Sequence, residues 1–370
     1  MKKITFLVVL AFVSLNFLSL NATVWTVSNR ADKPAQFTTI QAAIDVAQPG
    51  DTILIAGSSS MYNAFTLNRK LVFLGEGMNN PDGQNTSIAI SIGGYGGSTM
   101  YLININSSIG ASGSKFYGIA FCSFGPYYGT FNFYGSFIGQ QTGENKIENI
   151  EFNRCSFIIP ITFNSQIYNN ISFKNCLFNS SINLGSSTFN NLVITNCIFT
   201  YPNDVQIISG NNVNGQVFIR NCIFMNNTTN GFNAAGLVVE NSVFFAGSPT
   251  GATVSTFNNN ITFGNNNNTL PYGTNVGSGN IIGVNPQFVN YSPVGGPFAW
   301  NYDFALQPGS PCIGTGTNNT NIGLTGGNAP LAHNLPPNSK LPVVTSVTVP
   351  VSSVPVGGTL QINIKAKTRQ

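Results

Sequence analysis

Eleven carboxylates, fifteen lysines and arginines, six cysteines and one histidine are the side chains with which this chain could do chemistry. Hydrolysis of a glycoside needs two carboxyl groups at a set separation. The acids are Asp32, Asp45, Asp51, Glu76, Asp82, Glu144, Glu148, Glu151, Asp204, Glu240 and Asp303. Only Glu144, Glu148 and Glu151 lie close together, at the start of one repeat, where a solvated edge accounts for them. His333 sits in a proline-rich stretch with no partner to assign.

β-Elimination asks for different groups: a base for the proton α to a uronate carboxylate, and a cation to neutralise that carboxylate. Lys174 and Arg220 are the candidates, in an outward column with Asn153, Thr195 and Glu240. Two rungs separate them, about 10 Å of backbone. An Arg220–Glu240 ion pair with a solvated Lys174 explains the same residues without catalysis, and surface pairs of that kind are common. Sugar binding has its own candidates, Tyr127, Tyr128 and Tyr134, in an aromatic-rich stretch from Ser123 to Phe137. They form either a stacking platform or ordinary packing.

These columns exist only if the chain coils with a fixed period. The pattern that sets the period is Phe152-Asn-Arg-Cys-Ser-Phe157, returning as Phe173–Phe178, Ile194–Phe199, Ile219–Phe224 and Val239–Phe244. Cys155, Cys176, Cys197, Cys222 and Ser242 recur at steps of 21, 21, 25 and 20 residues. Such a period marks a solenoid, whose units bury their apolar faces against one another. Alternation such as Ile171-Ser-Phe173-Lys is that of a strand, and the following Asn suits a left-handed corner. Abundant Asn, Gly, Ser, Thr and β-branched residues argue against helices. Strands stacked in parallel about 4.8 Å apart make an all-β fold, a single-stranded parallel β-helix.

The cysteines follow from that geometry. Side chains stacked on parallel neighbours have parallel Cβ vectors, poorly placed for a disulfide. A buried column of free thiols is therefore expected, with Cys122 a candidate to open it. No CxxC pair or nearby histidine suggests a metal. No cofactor is expected.

Residues 1–22 read as a signal peptide: Lys2 and Lys3, an apolar centre from Phe6 to Val13, and Leu20-Asn-Ala22 before the cleavage point. Ser14 and Asn16 break the apolar run too early for a membrane span. Thr38-Thr-Ile-Gln41 is a capping box opening an amphipathic helix to about Ala47, suited to cover the exposed start of a solenoid. Residues 23–326 form the capped β-helix, and 327–370 a proline-rich strap and C-terminal strands expected to cover its far end. The net charge of +4 is scattered, with no basic stripe for nucleic acid.

Thr39-Ile-Gln-Ala-Ala-Ile44, Pro49-Gly-Asp-Thr-Ile53 and Leu71-Val-Phe-Leu-Gly-Glu-Gly77 resemble the opening of secreted right-handed parallel β-helix proteins of the pectate-lyase-like superfamily. Asn285-Pro-Gln-Phe288, Asp303 to Gly314 and Asn321-Ile-Gly323 resemble the segment that closes many bacterial members. The resemblance implies a right-handed coil and a secreted or cell-surface bacterial protein. Lyases of this superfamily commonly use Lys or Arg with calcium held by acids, so calcium enters only under the lyase alternative. The superfamily also holds glycosidases, adhesins and proteins without known chemistry, so fold does not fix activity. Few catalytic side chains and an Asn/Ser/Thr exterior favour a non-catalytic protein that binds a polysaccharide, a cell-surface glycan or another surface. A uronate-polymer lyase acting through Lys174 and Arg220 is the alternative.

Overall fold

Phenylalanine begins and ends several of the repeats, and in the computed structural model these two positions become two stacks of rings. Phe73, Phe116, Phe152 and Phe173 lie face to face at centroid spacings of 4.9, 4.9 and 5.0 Å. Phe121, Phe157, Phe178, Phe199, Phe224 and Phe244 form the second stack at 5.1, 5.3, 4.7, 4.7 and 4.9 Å. One ring per turn, at about the spacing of parallel strands, means that the turns lie directly above one another. The fold is a right-handed parallel β-helix.

The structure describes residues 22–63, 65, 67, 69–77, 85–89, 103–105, 111–122, 131–135, 146–163, 167–200, 206–210, 213–225, 231–264, 269–291, 298–331, 342–348 and 363–368. At 89 and along 103–105, 131–135, 146–147, 342–348 and 363–368 only the backbone is described. The predicted signal peptide, apart from Ala22, lies outside them.

The coil is built of three parallel sheets. The first includes Val24–Val27, Thr52–Ile55, Val72–Gly75, Lys115–Tyr117, Glu151–Asn153, Ile167–Lys174, Thr188–Thr195, Asn214–Arg220, Leu237–Glu240 and Thr256–Asn258. The second runs from Tyr62–Asn63 to Ile261–Phe263, and the third from Ile103–Ile105 to Phe232–Asn233. Register is strict: Phe152 pairs with Phe173, Phe173 with Ile194, and Ile194 with Ile219.

A single left-handed residue turns the chain from the first sheet to the second. Arg154, Asn175, Asn196, Asn221, Asn241 and Asn259 hold φ between 51° and 54°. Asn tolerates that region better than other side chains, which explains its recurrence. Just past the corner the thiols of Cys155, Cys176, Cys197 and Cys222 are fully buried and free. Each Sγ donates to the carbonyl two residues back, at 3.6, 3.3, 3.2 and 3.2 Å. Ser242 does the same at 3.0 Å. Asn260 and Asn280 continue the column, their Oδ1 atoms accepting from the backbone of the preceding turn at 2.9 and 3.0 Å. Cys122 does not open the column. Ala120 pairs with Ser156 and Phe121 with Phe157, so Ile119 stands opposite Cys155.

The entrance is capped by a helix at Ile40–Val46, one residue later than the capping box predicts. Thr39, not Thr38, is the N-cap, accepting from the Ala42 amide at 3.3 Å. Gln41 instead bonds Asp45 at 2.8 Å. Ile40, Ala43 and Ile44 are buried in the same core as Val27, Ile53 and Ile55 at the start of the coil.

After the last turn the described residues of 285–331 run back along the flank of the coil. The expected end cover, 327–370, lies largely outside the described residues. Phe288, Phe304, Cys312, Ile322, Leu324 and Leu331 form a second core with Leu177, Ile198, Ile223, Val243 and Ile261 of the second sheet. A strand covered on both faces reads as a continuous apolar run, and Ile223-Phe-Met225 and Val243-Phe-Phe245 are such runs. Strands Pro342–Thr348 and Asn363–Thr368 pair antiparallel with each other.

Candidate functional site

The flanking segment reaches the Asn corners and is fastened there amide by amide. Asn196 Nδ2 donates to the carbonyls of Leu324 and Gly326 at 2.9 and 2.8 Å. Asn221 Nδ2 donates to those of Asn321 and Gly323 at 3.0 and 3.2 Å. Asn241 Oδ1 accepts from the Thr317 amide at 2.9 Å, and Asn259 Nδ2 donates to the Thr317 hydroxyl at 3.0 Å. Gly327, with φ of 72°, packs so close to Asn221 that a Cβ there would collide with its Oδ1. The ladder of bonds stops at Asn175, whose Oδ1 is buried without a partner among the described residues.

Between this strap and the outer face of the first sheet lies a groove of about 470 Å³. Its sheet wall carries Lys174, Thr195, Arg220 and Glu240, the outward column expected from the repeat. Its strap wall carries Thr317, Asn318, Thr320 and Asn328. Asn318 and Asn319 both hold left-handed backbone, with φ of 56° and 58°. Conformations of that kind persist where surrounding bonds fix them, and they cluster at ligand clamps.

The charged groups of the wall are paired. Arg220 Nε donates to Glu240 Oε2 at 2.9 Å, as the non-catalytic account expects. The guanidinium carbon also stands 4.2 Å from the centroid of the Phe218 ring, a cation–π contact. Lys174 is not merely solvated, as that account has it: its Nζ lies 3.6 Å from Glu151 Oε1. Lys115 approaches the other oxygen of the same carboxylate at 3.9 Å.

The other described carboxylates are engaged as well. Asp51 accepts from the amides of Thr23 and Gln48 at 2.8 Å each and from the Trp25 indole at 2.9 Å. Burial alone would raise its pKa, but these donors outweigh it and hold the carboxyl below its ordinary value. Glu148 accepts from Asn169 at 2.7 Å, and Asp303 from the Ala305 amide at 2.9 Å. Asp32 pairs with Arg30, and Glu76 with Lys33. Among the described residues no group of three His, Cys, Asp or Glu side chains is placed to hold a metal ion.

The structure thus brings Lys174 and Arg220 to one groove. Tyr127, Tyr128, His333 and Glu144 lie outside the described residues. Tyr134 lies on the strand Phe131–Gly135 of the third sheet, and its side chain is not described. The strap wall is absent from the sequence reading. Thr317 is 76 residues from the Asn241 it meets, and no local pattern announces such a contact. The one available signal was the double apolar character of the second-sheet strands, which implies a cover.

Neither protein families nor curated proteins yield a match to this chain. Among solved structures, the chain is similar to a pectin methylesterase variant in complex with a hexasaccharide. The identity is 14%, the match covers 64% of this chain and 78% of that one, and the TM-score is 0.28. Among the described residues no helix is long and apolar enough to cross a membrane.

Proposed function

We propose that this is an exported, non-catalytic β-helix protein whose groove between the first sheet and the strap binds a carbohydrate chain. The observation that carries the reading is the pairing within the groove wall. A base for β-elimination must be free to take a proton, and a cation that neutralises a uronate must be free to meet it. Here the Lys174 amine stands beside Glu151, and the Arg220 guanidinium is held by Glu240 and Phe218. What remains is a set of hydroxyl, amide and guanidinium groups on two fixed walls, which suits hydrogen bonding to sugar hydroxyls.

The test is a screen of mature protein against immobilised polysaccharides, scoring retention and cleavage separately. Retention without new reducing ends or unsaturated products is the expected result, with Asn318→Ala weakening retention at least about tenfold, or about 1.4 kcal/mol. Unsaturated products that disappear in Lys174→Ala would establish the lyase reading instead. That second reading is favoured by one observation, the arrival of Lys174 and Arg220 on the same groove wall.

A further inference from the structure

The charge balance of the groove says which carbohydrates it takes, an inference that rests on the binding reading above. We propose that Glu240 is a specificity-determining residue: by masking Arg220 it fits the groove to uncharged glycan chains and turns acidic ones away.

Arg220 uses only Nε toward Glu240, and no described residue bonds either of its terminal nitrogens. Those two nitrogens are donors in a fixed plane, held by the 4.2 Å contact with Phe218. Among the described residues Glu240 bonds through Oε2 alone, which leaves Oε1 as an acceptor on the carboxylate that holds Arg220. A donor pair next to an acceptor matches adjacent hydroxyls on a sugar ring, each of which both donates and accepts. The same arrangement repels a carboxylate. To reach the guanidinium, an anionic sugar would have to approach Glu240 Oε1 or displace its partner oxygen, at the cost of like-charge repulsion. Lys174 is balanced only in part by Glu151, 3.6 Å away, because Lys115 approaches the same carboxylate at 3.9 Å, so the discrimination is assigned to the Arg220–Glu240 pair. Remove the Glu240 charge, and Arg220 becomes an exposed fork of the type that binds carboxylates bidentately.

Beads coated with neutral glucan, xylan or mannan, and with polygalacturonate, provide the test. Wild-type protein should be retained on at least one neutral polymer and not on polygalacturonate. Retention should be unchanged between about 20 mM and about 300 mM salt, because no net ion pairing is involved. Glu240→Gln should gain at least about tenfold retention on polygalacturonate at the lower salt and lose it at the higher. Arg220→Gln/Glu240→Gln should show no such gain, which separates charge unmasking from a disturbed fold. Salt-sensitive retention of the wild type on polygalacturonate, unaltered by Glu240→Gln, would overturn the proposal and leave carbohydrate binding standing. Retention on no polymer would overturn both.

Discussion

Two outer faces of the same coil, a few residues apart in every turn, have opposite fates. On the first sheet the outward column reads Asn153, Lys174, Thr195, Arg220, Glu240, and among the described residues no sheet is paired over it. On the second sheet the outward residues are Leu177, Ile198, Ile223, Val243 and Ile261, and the C-terminal segment covers them. Each turn makes both faces from one sequence stretch, separated by the left-handed corner. The difference teaches that side-chain chemistry outside the coil decides what docks there, while the inside is nearly constant. Apolar surface recruits a cover because burying it is favourable by about 25 cal/mol per Å². Polar surface is left open, and the edge of the cover makes it a groove.

Substitutions on the two faces should therefore differ sharply. Ile223→Asp puts a charge into the covered face, where Ile223 is fully buried. Loss of more than about 4 kcal/mol in denaturant unfolding is expected. Phe304→Ala, on the cover itself, should cost about 3–5 kcal/mol. A small effect of Ile223→Asp would mean that the cover is not docked on this face in solution.

The corner amides sharpen the comparison. Glycine accepts the left-handed backbone, so Asn→Gly isolates the side-chain bonds. Asn221→Gly removes two bonds to the strap and should destabilise by about 1–2 kcal/mol, with faster proteolysis within 312–331. Asn175→Gly removes an amide whose Oδ1 has no partner among the described residues, and its effect should stay within about 0.5 kcal/mol. Equal effects would show that the strap contributes nothing at the corners.

At the entrance, Asp51→Asn should cost about 1–2 kcal/mol at neutral pH. The folded carboxyl lies below its ordinary value. Its contribution is thus present above the unfolded pKa and fades as pH falls through the folded one. Wild type and variant should accordingly converge in stability in acid, which urea melts at several pH values would reveal. The smallest effect belongs to the open face. A double-mutant cycle between Arg220 and Glu240 should give about 0.5–1 kcal/mol of coupling, falling with salt, because the pair is partly exposed.

The inner architecture was legible because it repeats. Phe173, Asn175, Cys176 and Phe178 return one turn later as Ile194, Asn196, Cys197 and Phe199, and the period alone fixes their stacking. Cys122 matches the column by residue type alone, whereas register sets Ile119 in that place. The strap escaped because it does not repeat and its partners lie far off in sequence, as with Asn196 and Leu324 at 128 residues. Lys174 looks solvated from the sequence because its partner Glu151, two positions before Asn153 and one turn away from Lys174, stands outside its own column. Half of the groove, the sheet wall, followed from the period; the other half needed the tertiary structure.

The most direct test is a crystal structure with an oligosaccharide of the neutral polymer that retains the protein best. The account predicts an intact chain lying between Arg220 and Asn318, its hydroxyls within hydrogen-bond reach of the Arg220 terminal nitrogens and Glu240 Oε1. A chain bound to another face, or one cleaved in this groove, would contradict it.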